Sequence, residues 1–440
     1  MNMKIAFFTL GCKVNQFETQ AMEKFALLAG HSLCGFSSGE ADAYIINSCT
    51  VTAVSDKKTR NAVRRAYAQN KTAVIALCGC YAEAQKDVKA QLPELTIIAG
   101  NKDHRGLIAA VEEAFLQKQE TGARAEPCLL HADGLDFEQL PAGILDGHTR
   151  ALLKIEDGCN NFCSYCIIPH VRGRVRSLPL LQIREEVAQI RESGVLELVV
   201  TGIEISSYGL DFGLTFLDAL RIILAEAAGM RVRLGSLEPR VITAEFCKVA
   251  EQNSNLCRHF HLSLQSGCDA TLRRMNRKYT TGEFSEAAAR LRRAFPEATI
   301  TTDLICGFPG ETEAEFAETL AFIREIGFLH MHIFPYSERE GTPAASMKGS
   351  VPKPVRKQRA LEAEVVAAEM KCGILAAQVG KTHSVLFEQR QRNGSFMGYT
   401  ENYIPVEVLT GEELHSVLRF VEITGVSGDG LTGVLVQAEN

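Results

Sequence analysis

The stretch from Glu156 to Gly173, EDGCNNFCSYCIIPHVRG, places Cys159, Cys163 and Cys166 within eight residues, and no further cysteine follows until Cys247. Structural zinc sites take four ligands, usually as two separated pairs. A 4Fe–4S cluster has four irons, each able to take one thiolate, so a C-x-x-x-C-x-x-C run leaves one iron open to a small molecule. Three more cysteines are spread out: Cys12, Cys49 and Cys80 each lie just past a strand-like run, KIAFFTL from Lys4, AYIINS from Ala43 and AVIALCG from Ala73. In an open parallel sheet those carboxyl ends border one crevice, so these three are expected to converge on a metal. Cys78 competes with Cys80 in CGCY but should lie within its strand. Cys34, Cys78, Cys128, Cys247, Cys257 and Cys372 are expected to be buried thiols, the commoner fate of cysteine. Cys268 and Cys306 fall near the expected active face without ligand spacing.

The elements that must position these thiols follow from periodicity. From Ala151 to Phe334, apolar runs (ALLKI, LELVV, RVRLG, HFHLSL, TITTDLI, HMHIF) alternate with helix-period segments such as LLQIREEVAQIRESG from Leu180. Six β/α units predict a parallel sheet curved into a partial barrel. The polar and Gly-rich stretches all follow strands: the cysteine cluster, TGIEISSYG, SLEPR, QSGCD, CGFPGET and PYSEREGTP. That is the face where β/α barrels carry chemistry. The first hundred residues read as a separate α/β domain, with helices NQFETQAMEKFALLAG from Asn15 and VSDKKTRNAVRRAYAQ from Val54. Beyond Gly380, the closely spaced runs HSVLFEQ, SFMGYTENYIPVEV, LRFVEITGV and LTGVLVQ predict a small β-barrel. The expected organisation is an α/β domain over 1–117, a linker over 118–144, a partial (β/α)6 barrel with a trailing helix over 145–378, and the small barrel over 379–440.

At 440 residues the chain exceeds one ordinary core, and 46% hydrophobic with 23% charged residues is a globular composition. The start, MNMKIAFFTLGCKVN, lacks the pattern of a signal peptide, and no apolar run approaches the roughly 20 residues of a membrane span. Fourteen cysteines then predict a reducing, cytoplasmic setting in which thiols serve metals. The net charge of −6 argues against nucleic acid as a partner unless positive charge is gathered locally.

With Tyr165 before the last cysteine and the cluster after the first strand of a β/α array, the chain resembles the radical SAM superfamily. The resemblance implies that the open iron binds S-adenosylmethionine (SAM), whose reductive cleavage gives a 5′-deoxyadenosyl radical. By position, Tyr165 in the cysteine loop, Thr201, Gly202 and Glu204 after the second strand, and Ser236, Glu238 and Gln265 further on, would contact SAM. A Ser or Glu at a strand end also serves simply as a helix cap. Two three-cysteine sites together resemble the methylthiotransferase family, over TLGCKVNQFET, NSCTVT, GCYAE, DGCNNFCSYCIIPHVRGRVRS, HLSLQSG, GFPGET and PYSEREGTPA. TLGCKVN and IIPHVRGRVRS look most like the branch acting on threonylcarbamoyl-adenosine 3′ of the tRNA anticodon. That likeness implies two 4Fe–4S clusters, an auxiliary one on Cys12, Cys49 and Cys80, and methylated sulfur replacing hydrogen at adenine carbon 2. It also implies an external electron donor, flavodoxin-like or ferredoxin-like, while the sulfur donor stays unidentified.

GYTENYIPV at Gly398 resembles that family's RNA-binding TRAM domain, with Phe396, Tyr399 and Tyr403 as candidates for stacking on bases or for the core. Yet the tail has only Lys381, Arg390, Arg392 and Arg419 against eight acidic residues. Positive charge gathers instead at Lys57, Lys58, Arg60, Arg64 and Arg65, at Arg172, Arg174 and Arg176, and at Arg273, Arg274, Arg277 and Lys278. These are the expected contacts for a tRNA anticodon stem-loop, although charged helix faces are commonly just solvated. The alternatives are methylthiolation of isopentenyl-adenosine tRNA or of ribosomal protein S12, and a zinc-stabilised RNA-binding protein without catalysis.

Overall fold

The computed structural model describes residues 2–85, 87–123, 126, 128–130, 136–141 and 149–436. Strands β1 (Lys4–Thr9), β2 (Ser32–Leu33), β3 (Ala43–Ser48), β4 (Val74–Gly79), β5 (Ile97–Ala99) and β6 (Cys128–Leu130) form one parallel sheet, ordered β2-β1-β3-β4-β5-β6. β3 and β4 are buried along their whole length, as expected for central strands covered by helices on both faces. Helix α1 (Lys13–Leu28) packs Phe17, Ala21, Met22 and Phe25 onto one face. Helix α2 (Ala53–Gln69) packs Ala62, Val63 and Ala66 onto the other. Sequence periodicity found β1, β3 and β4; β5 and β6 have three residues each, too few to show a period. Because β6 pairs with β5, part of the expected linker completes the first domain. Within that linker, residues 124, 125, 127, 131–135 and 142–144 lie outside the described residues.

The central region contains the six expected parallel strand positions. Strand β7 (Arg150–Lys154) leads into a two-residue antiparallel ladder, β8 (Glu156–Asp157) with β9 (Arg176–Ser177), which closes the base of the cysteine loop. Strands β10 (Glu197–Thr201) and β11 (Arg231–Leu234) complete a three-stranded sheet ordered β11-β10-β7. β12 (Ser236–Leu237), β13 (His259–Leu262), β14 (Thr299–Cys306) and β15 (His330–Pro335) form a second, four-stranded one. The split falls at Gly235, whose N–H still donates to Val200 (2.8 Å) before the chain turns to pair with β13. The barrel is open between β7 and β15. Leu152 and Val199 join the core that α1 builds, so the N-terminal domain packs against the first strands of the barrel.

The 24-residue helix Lys353–Ala376 runs back over the barrel and leads to the tail. There β16 (Thr382–Arg390), β17 (Ser395–Thr400), β18 (Pro405–Leu409), β19 (Leu418–Ser427) and β20 (Gly430–Leu435) close a five-stranded barrel ordered β16-β17-β18-β20-β19. The run SFMGYTENYIPVEV is two strands, broken at Glu401–Ile404, where Tyr403 takes φ 65°. The tail docks on the amino-terminal ends of the central strands. Arg231 Nη2 donates to the Ser384 carbonyl (2.6 Å), Arg233 Nη1 to the Glu401 carbonyl (3.0 Å) and Thr299 Oγ1 to the Asn402 carbonyl.

Candidate active site

Cys12 caps α1, Cys49 follows β3, and Cys80 opens the short helix α3 (Cys80–Ala84), so all three thiols stand at one end of the N-terminal sheet. The three turns adjoin: a Cβ on Gly11, next to Cys12, would stand 3.1 Å from the Cys49 Cβ, and the Tyr81 N–H, next to Cys80, donates to Ser48 Oγ (3.2 Å), next to Cys49. The turn into α3 depends on Gly79, at φ 88°: a Cβ there would sit 2.5 Å from the Ser48 carbonyl oxygen. Two asparagines lock the turns. Asn15 Oδ1 accepts from the Cys12 N–H (3.3 Å) and thiol (3.4 Å), and its Nδ2 donates to Asn47 Oδ1 (3.0 Å). Asn47 Nδ2 returns a bond to the Asn15 carbonyl (3.0 Å).

The second set sits on the loop after β7. Gly158, at φ 84°, brings the chain so close to the returning strand that a Cβ would stand 2.0 Å from the Arg174 carbonyl oxygen. Cys159 N–H donates to Gly173 (3.1 Å), Cys166 N–H to Cys163 (3.0 Å), and Ser164 Oγ to Arg274 (2.8 Å). Burial pushes Cys166 and Cys80 each up to about 12 and raises Cys159 as well. Metal binding would have to displace those protons, as it does in thiolate sites generally. Among the described residues, no three His, Cys, Asp or Glu are close enough to hold a single metal ion. A four-iron cluster takes each thiolate on a different iron, so it needs a wider set.

Two buried arginines, Arg172 and Arg277, reach the sulfurs. Arg277 Nη1 donates to Cys163 Sγ (3.2 Å), and its Nη2 lies 3.5 Å from Glu238. Arg172 Nε donates to Cys80 Sγ (3.3 Å). Its Nη1 and Nη2 bind Glu18 (2.7 and 3.1 Å), and Nη1 also meets Asp157 at 3.2 Å. Lys154 joins Glu18 (3.1 Å) and Asp157 (2.6 Å) from the other side. Burial would raise Glu18, but Arg172 and Lys154 outweigh it and hold the carboxyl at about 2. Glu18 and Cys80 belong to the N-terminal domain, Lys154, Asp157 and Arg172 to the barrel. One desolvated charge cluster therefore joins the two thiol sites.

Between them lies a cavity of about 210 Å³ lined from both sides. Val51 and Thr52 come from the Cys49 loop, Tyr165, Cys166 and Ile167 from the other, with Gln265, Asp303, Ile305 and Phe334 on the barrel. The Ala53 N–H donates to Ser337 Oγ (3.3 Å), and Arg339 binds Asp56 (2.6 Å), pinning the start of α2 to the last barrel loop.

Of the residues expected around SAM, Tyr165 packs edge-on to Phe308 at 6.4 Å, and Gln265 lines the cavity at φ 65°. Thr201 is the buried last residue of β10, and Gly202 stands against Glu156, which a Cβ would approach to 2.9 Å. Glu204 is buried; its N–H donates to Glu156 Oε2 (2.8 Å), and burial beside Glu238 raises its carboxyl to about 7. Glu238 accepts from Asn161 Nδ2 (3.1 Å) beside Cys159, while Ser236 is half-buried in β12.

Several expectations about charge and exposure need correction. Arg172 and Arg277 were expected to face a phosphate backbone, but both side chains are buried with carboxylate and thiol partners. Tyr399 and Tyr403 do not offer free faces to bases. They stack on each other (5.0 Å), Tyr403 lies against His259 (4.8 Å) and under Arg233 (4.5 Å), and Arg150 covers Tyr399 (5.0 Å). Phe396 is in the core of the small barrel. Arg60 is half-buried, with Nη1 3.4 Å from the Tyr81 hydroxyl. Lys57, Lys58, Arg64, Arg65, Arg174, Arg273 and Lys278 are exposed, Arg65 over Phe36 (4.7 Å) and Arg174 over Phe162 (4.4 Å). Among the thiols expected to be buried, Cys128 on an edge strand and Cys372 on a surface helix are exposed and Cys34 is half-buried, while Cys78, Cys247 and Cys257 are buried. Asn15, Asn47, Glu18 and Asp157 went unmarked in the sequence, although Asn15 and Glu18 recur at helical spacing after Cys12.

Comparison with known proteins agrees with this architecture. The radical SAM superfamily model matches residues 153–323, and a model described as uncharacterized protein family UPF0004 matches residues 4–100. The chain is 35% identical over 415 residues to the threonylcarbamoyladenosine tRNA methylthiotransferase MtaB of Bacillus subtilis (strain 168), covering 93% of this chain and 91% of that protein. It is 31% identical over 442 residues to the tRNA-2-methylthio-N(6)-dimethylallyladenosine synthase of Pelotomaculum thermopropionicum, covering 98% and 97%. Among solved structures, the radical SAM methyltransferase TsrM from Kitasatospora setae superposes with a TM-score of 0.54 at 14% identity, covering 78% of this chain and 75% of that one, a likeness of fold alone. Thiol sites, partial barrel and full-length relatives together place the chain in the radical SAM tRNA methylthiotransferase family, as an enzyme of that kind.

Proposed function

We propose that the enzyme converts N6-threonylcarbamoyladenosine, 3′ of the tRNA anticodon, to its 2-methylthio derivative. In this reading Cys159, Cys163 and Cys166 hold the cluster that binds SAM, and Cys12, Cys49 and Cys80 hold an auxiliary 4Fe–4S cluster that carries sulfur. When bound, the first cluster supplies the single electron that cleaves SAM to a hydrogen-abstracting radical, chemistry that an unactivated aromatic C–H requires. The protein's own contribution is placement and shielding. Arg277 and Arg172 put positive charge beside a thiol of each set, which offsets the cost of burying thiolates. Gly202, Glu204, Ser236, Glu238 and Gln265 are assigned the amino and ribose groups of SAM, a role supported by their positions at the strand ends and, for Gln265, by its place in the cavity wall. Val51, Ile167, Ile305 and Phe334 give the cavity apolar walls that keep water from a radical.

The observation that carries the reading is that single cavity, walled by loops from both thiol sites. The electron donor and the tRNA would approach through exposed charge such as Lys57, Arg64, Arg174 and Arg273. Anaerobically purified protein should be brown with about eight irons and equivalent sulfide. Zinc in colourless protein would overturn the redox reading. Mass spectrometry of tRNA nucleosides from a deletion strain should show loss of the threonylcarbamoyl methylthio nucleoside. Loss of the isopentenyl methylthio nucleoside instead would move the substrate, and an unchanged tRNA profile would remove it.

A further inference from the structure

We propose that Asp303 is the specificity residue that accepts a hydrogen bond from the N6–H of the target adenine, an inference that rests on the substrate reading above. Asp303 lines the cavity of about 210 Å³ in which that reading places the reaction, and among the described residues it is the one charged side chain that does so. Ile167, Ile305 and Phe334 make the walls beside it apolar. A carboxylate has two oxygens and accepts only. Asp303 Oδ2 lies 3.3 Å from His261 Nε2, which therefore carries the proton. His261 Nδ1 then accepts from the Thr301 hydroxyl (3.0 Å), whose oxygen accepts from His259 Nε2 (2.9 Å). This chain of donors holds one carboxylate oxygen and fixes the side chain. The other, Oδ1, has no partner among the described residues, and the side chain keeps 29% of its surface exposed. The reaction cavity thus contains a preset acceptor that still lacks its donor.

Asp303 also stands on the wall that is fastened to the Cys49 loop. Its strand, β14, pairs with β15, with Asp303 opposite His332 and Ile305 opposite Phe334. β15 runs into the loop that binds the start of α2, through Ser337 to the Ala53 N–H and through Arg339 to Asp56. Val51 and Thr52 complete the same cavity from the Cys49 side. Glu204 and Glu238, assigned to SAM, follow β10 and β12, and β12 is two strands from β14, about 10 Å. An adenine offers N6–H as a donor, whereas a guanine offers O6, which would set acceptor against acceptor. Threonylcarbamoylation leaves one hydrogen on N6. Carbon 6 and carbon 2 flank the same ring nitrogen, so a base held through N6–H has carbon 2 at a fixed place between the two thiol sites. A base without that hydrogen would leave the carboxylate desolvated and unpaired, which disfavours it.

The test uses reconstituted holoenzyme and anticodon stem-loop RNAs bearing threonylcarbamoyl-adenosine or the same nucleoside methylated at N6, which replaces N–H by N–CH3. Wild type should bind the N–H RNA at least about tenfold tighter, the worth of one hydrogen bond to a charged acceptor. Asp303→Leu, of similar bulk but unable to accept, should bind the two within about threefold. Equal affinities in wild type overturn the proposal, as does an undiminished preference in Asp303→Leu, which would be one of bulk alone. SAM binding without RNA, read by equilibrium dialysis, should stay within about threefold of wild type in Asp303→Leu. A loss of about tenfold there would give the carboxylate to SAM and also overturn the assignment. Wild type that binds threonylcarbamoyl RNA no better than adenosine RNA overturns the substrate reading instead. The N–H comparison, made then between adenosine and N6,N6-dimethyladenosine RNAs, still decides the role of Asp303.

Discussion

Replacing Arg172 with methionine removes one side chain that five atoms depend on: Cys80 Sγ, both carboxylate oxygens of Glu18 and both of Asp157. Glu18 is fully buried and would keep only Lys154, with His104 at 4.0 Å. Breaking a buried pair by deleting one partner costs about 3–5 kcal/mol, because the remaining charge stays desolvated. At about 1.4 kcal/mol per decade, that makes local opening more frequent by roughly two to three and a half decades. Hydrogen exchange read by mass spectrometry reports such opening segment by segment. Protection should fall in α1 and around residues 154–177 together, because the cluster joins them, while the tail barrel should be unaffected. Arg64→Met, an exposed arginine on α2, should change exchange by less than about tenfold. A change that small at Arg172 would refute the idea that this cluster holds the two domains together.

Gly158→Ala forces a Cβ against the Arg174 carbonyl at a left-handed φ. Backbone strain of about 1–3 kcal/mol should cost the Cys159 loop its cluster, halving iron from about eight to about four; full iron content would refute the fit. For Glu197, burial works upward and the guanidiniums of Arg233 and Arg150 outweigh it, bringing the carboxyl to about 2. The resulting stability is present above its unfolded value near 4.5 and is lost as pH falls from there toward 2. Glu197→Gln should flatten that arm of the acid-unfolding profile, and an unchanged arm would count against it. Combining Lys57→Ala with Arg64→Ala should reduce the salt slope of tRNA binding by about 0.7–0.9 for each phosphate no longer neutralised, whereas an unaltered slope would place the RNA elsewhere.

The thiol framework was legible because strand ends can be read locally. An apolar run followed by Gly-Cys or Ser-Cys marks the carboxyl end of a parallel strand wherever the rest of the chain lies. Charge was not legible in the same way. Arg172 and Arg174 are two residues apart in one basic run, yet one is buried against Glu18 and the other exposed over Phe162. Only the partner, 154 residues away for Arg172, decides. The same limit applies to Tyr399 and Tyr403, whose ring faces are taken by His259, Arg150 and Arg233 from the neighbouring barrel. Strands of three residues, and the break at Gly235 that divides the barrel into two sheets, leave too little pattern to be found from periodicity.

The tail sits on the strand beginnings, whereas the thiol loops and the cavity at Phe334 lie at the strand finishes. A strand of about six residues is roughly 20 Å long. The tail is therefore set back from the thiol loops by about one strand length, and its rings and backbone carbonyls are spent on Arg150, Arg231 and Arg233 at the barrel's base, not on the cavity.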